Sequence, residues 1–198
     1  MKTLLRVAAP LSLALSLAGC ALLGGGPKPP PTLLALTPEA ASPGEFARSA
    51  AAGQAVTVSI PVIPRELRTA RVPARVGPTD VAYIRNLQWV DTPDRLFKDL
   101  LAETIRRQTN RVVLDPRQAA LDPGLVVTGQ LHDFGYVEAE RAVLVRYDAS
   151  LSTPGGAHVQ TRRFEARAPA DGTAPTVGPA LNRAANQVAL EVAGWIGS

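Results

Sequence analysis

The chain has 198 residues, 46% hydrophobic and 19% charged, which suits one domain with a sizeable core. Setting aside Lys2 and Arg6 near the N-terminus, the 21 basic residues fall to 19 against 17 acidic ones, so the high pI reflects arginine usage rather than a strong basic field, and nucleic acid is a poor partner. A single cysteine, Cys20, excludes an intrachain disulfide.

The first twenty residues read as a leader. Lys2 and Arg6 give a positive start, Val7 to Leu17 is an apolar core too short to span a bilayer, and Leu17-Ala18-Gly19-Cys20 closes it. That string resembles the lipobox of bacterial lipoproteins. Small residues before the cut admit a peptidase, and the Cys20 thiol is the nucleophile that takes a diacylglyceryl group. The expectation is a signal peptide over 1–19, with Cys20 as the acylated first residue of the mature chain and palmitate among its acyl groups. No later stretch approaches the ~20 apolar residues of a span, so the anchor is lipid. Ala21 follows the cysteine where an aspartate would retain an enterobacterial lipoprotein at the inner membrane. That favours the outer membrane, with the domain facing the periplasm.

Residues 20–31 form a tether, with Gly24-Gly25-Gly26 flexible and Pro27-Lys28-Pro29-Pro30-Pro31 extended at ~3 Å per residue. The domain is expected over 32–198. Thr32 to Thr37 reads as a short strand before Pro38. Val56, Val58 and Ile60 alternate with Thr57 and Ser59, giving a second strand with one apolar face that ends at Pro61. Residues 65–80 look irregular, with Arg65, Arg68, Arg71 and Arg75 among prolines. Val81 to Val90 reads as extended.

Thr92-Pro93-Asp94 opens a helix, with Thr92 or Asp91 as cap and Pro93 in the first turn. Leu96, Phe97, Leu100, Leu101 and Ile105 make its apolar stripe, and Asn110 its stop. Arg111 to Leu114 reads as a strand. An antiparallel meander follows over Leu125 to Val137, Arg141 to Ser152 and Val159 to Ala168, with Pro154-Gly155-Gly156 as a turn. Gly172 to Gly178 reads as a loop, and a last helix begins near Pro179 and ends at Gly197. Two one-sided helices and a mixed, mostly antiparallel sheet predict a single two-layer α+β domain.

No G-x-S-x-G elbow, phosphate-cradling glycine loop or paired metal-ligand motif stands in the sequence, so a non-enzymatic protein without metal or cofactor is expected. His132 and His158 sit on different expected strands without ligand spacing, which favours polar sheet faces over a metal pair. Asp133, Glu138 and Glu140 near a strand turn read as a solvated turn before acid–base chemistry. The four arginines read two ways. They are a solvated loop, or they grip lipid headgroups or an acidic partner, since guanidinium groups hold phosphate bidentately. Trp89 and Trp195 lie beside helix ends, where core packing is favoured over an interface.

The order of these motifs carries a resemblance: the lipobox, a leucine-rich strand ending in Thr37-Pro38, Val56-x-Val58-x-Ile60-Pro61, Pro64-x-x-Leu67, Tyr83, Trp89-Val90-Asp91-Thr92-Pro93, Leu96, and a final helix closing on Trp195. It resembles the ABC-type transport auxiliary lipoprotein family, one branch of which serves the paraquat-inducible intermembrane transport system. The family's first strand often carries a tyrosine where this chain reads Leu33-Leu34-Ala35. The resemblance implies lipid traffic across the envelope beside an inner-membrane ABC transporter and an MCE-domain substrate-binding protein. It also implies phospholipid-like substrates, no catalytic residues and, in some relatives, homo-oligomeric rings. A scaffolding envelope lipoprotein is the alternative, and a hydrolase with an unrecognised site a third reading.

Overall fold

The structure is a computed structural model that describes residues 32–42, 47–119 and 122–197. The leader, Cys20 and the tether lie outside the described residues. Among the described residues, seven strands form one open mixed sheet: β1 (Val56–Val58), β2 (Arg71–Arg75), β3 (Val81–Gln88), β4 (Val113–Leu114), β5 (Leu125–Val137), β6 (Ala142–Ser152) and β7 (Val159–Pro169). The expected meander is present, with β6 antiparallel to both β5 and β7. The other edge of the long β5 is shared. β1 runs parallel to its first residues, Val62 bridges Gln130 midway, and β2 runs parallel to Tyr136 and Val137. β4 lies outside β1 and β3 outside β2.

Two helices, α1 (Pro93–Gln108) and α2 (Ala174–Gly197), pack against each other, with α2 lying on β6 and β7. The fold is therefore the two-layer α+β domain the patterning predicts. Residues Val143, Val145, Tyr147 and Ala149 of β6 and Phe164, Ala166 and Ala168 of β7 are buried, at alternate positions as strand geometry requires. Phe97 of α1 centres the core, its ring 5.1 Å from Tyr147 and 6.4 Å from Phe134. Trp89 is buried, 5.4 Å from Phe134, and Trp195 is half-buried, 5.6 Å from Phe164, so both tryptophans pack inward as expected. Among the described residues, no helix is long and apolar enough to cross a membrane.

Several elements differ from the sequence reading. The span 65–80 is irregular only in part: a 3-10 turn over Arg65–Leu67 leads into β2, while 68–70 and 76–80 are bends and loop. Pro73 argued against a strand, yet it is tolerated because the β2–β3 register shifts beside it and β5 pairs only with Ala74 and Arg75. Gly135 makes the room, since a Cβ there would stand 2.5 Å from the Pro73 carbonyl oxygen. Helix α2 begins at Ala174, five residues before Pro179, so Gly172 to Gly178 is not all loop. Its first turn is built by Asp171, whose carboxylate accepts the Thr173 N–H at 2.9 Å and hydroxyl at 2.7 Å and the Thr176 hydroxyl, while the Thr173 carbonyl accepts the Val177 N–H at 2.9 Å. Pro179 forfeits only one bond, to a carbonyl of the first turn.

The Thr32 to Thr37 strand reduces to one bridge, Leu34 to Trp89. In β1 the alternation fails. Thr57 is buried like its neighbours, and its hydroxyl donates to the Pro123 carbonyl of the segment that leads into β5, at 2.7 Å. Ile60, beyond the strand end, is exposed. Helix α1 ends at Gln108, short of Asn110, and at its start the Asp91 carboxylate accepts the Thr92 N–H at 2.7 Å.

Candidate functional site

Pro64 holds an extended conformation and starts the turn that carries Arg65 and Arg68. Leu67, between them, is buried and pins the turn to the domain, so the two guanidinium groups are left outward. Neither makes an ion pair among the described residues. Arg71 lies over the Tyr83 ring, 4.0 Å from its centroid, and the Tyr83 hydroxyl donates to the Glu66 carbonyl at 3.4 Å. Stacking on a ring orders the side chain and leaves its edge free for an anion. Arg75 departs from this group: it donates to Asp133 at 2.6 Å. Arg65, Arg68 and Arg71 are thus left without a carboxylate partner among the described residues, and Arg75 is taken into the sheet.

Asp133 is nearly buried and receives Arg146 as well, at 2.8 Å. Arg146 continues to Glu165, which also takes Arg167, and Arg167 reaches Glu140 at 2.8 Å. The hydrogen bond from Arg146 and then that from Arg167 hold the Glu165 carboxyl below its ordinary range. Beside this ladder, Arg163 grips Asp148 with two bonds of 2.7 Å, and His132 meets the same carboxylate at 3.0 Å. The Arg163 bonds, then His132, depress the Asp148 carboxyl. These residues line the sheet face away from the helices. Asp133 and Glu140 are thus spent on separate guanidinium groups rather than paired for proton transfer. His158 contacts Gln160 at 2.9 Å, and no group of three potential metal ligands stands among the described residues.

One polar pair escaped the sequence reading. Asn182 and Asn186, one helical turn apart on α2, hold the segment that leads into the domain. The Thr37 N–H donates to Asn182 Oδ1 at 2.9 Å and the Glu39 N–H to Asn186 Oδ1 at 2.8 Å, while Asn186 Nδ2 donates to the Thr37 carbonyl at 2.9 Å. Asn186 is buried. Two asparagines at helical spacing inside an apolar helix are poor helix formers, and that misfit was the available signal. Leu34, on the same segment, packs against Gly178, where a Cβ would meet it at 3.0 Å.

The lipobox residues Leu17, Ala18, Gly19 and Cys20 lie outside the described residues. The model of one protein family, described as the ABC-type transport auxiliary lipoprotein component, matches residues 35–193. No curated protein matches. Among solved structures, a Xanthomonas campestris protein superposes with TM-score 0.69 at 18% identity, covering 83% of this chain and 94% of its own. A second, an uncharacterized protein, gives TM-score 0.60 at 14% identity, covering 76% and 96% respectively. Both are similar in fold.

Proposed function

This chain belongs to the ABC-type transport auxiliary lipoprotein family, and on that footing we propose that it is a non-enzymatic, outer-membrane-tethered component of an MCE-type system. In this reading it faces the periplasm and helps phospholipid-like substrates pass between the membranes. The observation that carries the reading is the family match across nearly the whole folded domain. Two further points support it. The lipobox supplies the anchor by sequence, and two of the three carboxylates near the β5–β6 turn, Asp133 and Glu140, are held by arginines. Assembly into a homo-oligomeric ring belongs to the same reading and rests on the family resemblance. Arg65, Arg68 and Arg71 are its contact residues for anionic groups.

The test combines anchoring with transport. Cells carrying Cys20→Ser should fail to label the protein with palmitate, release it from the outer-membrane fraction, and slow phospholipid exchange between membranes to the rate of a deletion strain. Exchange at the parental rate in the deletion strain would overturn the proposal.

A further inference from the structure

The three free arginines stand beside exposed apolar side chains at one end of the domain. Val62 is 63% exposed and Ile60 52%, on one side of a short extended run whose intervening Pro61 is buried. Val62, Arg68 and Thr92 line one shallow recess. From there the backbone runs continuously to the point where the chain enters the domain. The Trp89 N–H donates to the Ala70 carbonyl at 2.7 Å, and the Val90 N–H to the Leu34 carbonyl at 2.8 Å. Val90 is 56% exposed and Leu33 52%. Arg71 pairs with Gln88 across the same ladder, and Arg85 follows Tyr83 on β3. Leu33, Val62 and Val90 therefore share this end with Arg65, Arg68 and Arg71.

We propose that this end of the domain is a membrane-contact surface, which lays Val62, Val90 and Leu33 against an anionic phospholipid bilayer while Arg65, Arg68 and Arg71 reach the phosphates. The inference rests on the lipoprotein reading above and deepens it by naming a bilayer as the partner of these arginines. Charge favours an anionic partner. On the sheet face the guanidinium groups are matched by carboxylates, whereas here Arg65, Arg68, Arg71, Arg85 and Arg95 stand against Glu66, Asp91 and Asp94, and of these acids Asp91 faces Arg95 at 3.7 Å. Scattered aliphatic side chains ringed by cations suit a bilayer interface, where apolar tips enter the headgroup boundary and arginines remain with the phosphates. Chain connectivity agrees. Cys20 and Thr32 are 12 residues apart, so even a fully extended tether of roughly 3.3 Å per residue keeps an acylated Cys20 within about 40 Å of Thr32. A weak contact is enough under that constraint, because tethering raises the local concentration of the membrane surface.

The contact is measured without the anchor. The mature chain carrying Cys20→Ser is co-sedimented with vesicles of phosphatidylethanolamine and phosphatidylglycerol, and with vesicles of phosphatidylcholine alone. Each cation near an anionic surface multiplies partitioning by about fivefold. The triple change Arg65→Gln, Arg68→Gln, Arg71→Gln should therefore lower binding to the anionic vesicles by about tenfold or more. Val62→Ser should lower it also, with thermal unfolding unchanged for Val62→Ser and lowered only slightly for the triple change, which gives up the Arg71–Tyr83 stack. The parent should bind phosphatidylcholine poorly and leave anionic vesicles as salt rises. Absence of binding by the parent, or equal binding by parent and triple variant, overturns the proposal. So does a triple variant that keeps its vesicle binding but loses its protein partners, which would assign the surface to an acidic protein. Co-purification of the lipidated parent with a transporter separates the two readings: if it persists while vesicle binding fails, only the membrane surface falls.

Discussion

At the scale of single residues, the asparagine pair shows how the entering segment is fixed. Asn186 satisfies its amide on both ends inside the protein, so Asn186→Ala leaves the Glu39 N–H and the Thr37 carbonyl without their partners. Losing one partner of a buried hydrogen bond costs about 1–3 kcal/mol. Denaturant unfolding of Asn186→Ala should show that loss, whereas Asn182→Ala, whose site is more open, should cost less. Equal stability of the Asn186 variant and the parent would mean the segment is held by Leu34 and its apolar neighbours alone. The arginines illustrate what residue type can reveal before structure. Their number left a solvated loop and anion contact both open, and only the structure separates Arg75, committed to Asp133, from Arg65, Arg68 and Arg71. The pairing depends on which strand lies next to β5, and no spacing within 65–75 encodes that.

At the scale of elements, the strands that alternate cleanly were legible and the interrupted ones were not. β7 and the middle of β6 show period-two burial because one face meets helices and the other meets solvent or charge, while Ala142 to Val145 at the start of β6 are buried on both faces. α1 was legible for the matching reason: Phe97, Leu100, Leu101 and Ile105 keep the helical period behind Pro93. β2 hid behind Pro73, and the first turn of α2 behind Pro179, since in each case a local rule about proline was offset by a distant or specific partner. For β2 that partner is Gly135 on β5. Gly135→Ala should push a Cβ into the Pro73 carbonyl and cost about 1–3 kcal/mol by overpacking. Gly194→Ala, where a Cβ meets nothing, is the control and should be neutral or slightly stabilising. Thermal unfolding compares the two, and equal behaviour would show that β2 lifts away from β5 without strain.

At the scale of the whole molecule, β5 organises the domain. Its full length pairs with β6, while its other edge receives β1, Val62 and β2 in succession. That arrangement puts the helices on one face, the ion-pair ladder on the other, and the free arginines at an end beside the entry of the chain. The family is described as an ABC-type transport auxiliary lipoprotein component. The proposed role is therefore decided by the partners the protein keeps. The most direct measurement is crosslinking of the full lipidated protein in native membranes, followed by purification and mass spectrometry of what it carries. An ABC transporter subunit and an MCE-domain protein should be recovered, both lost when the transporter genes are deleted. Recovery of neither, from membranes in which both are expressed, would contradict the proposed role.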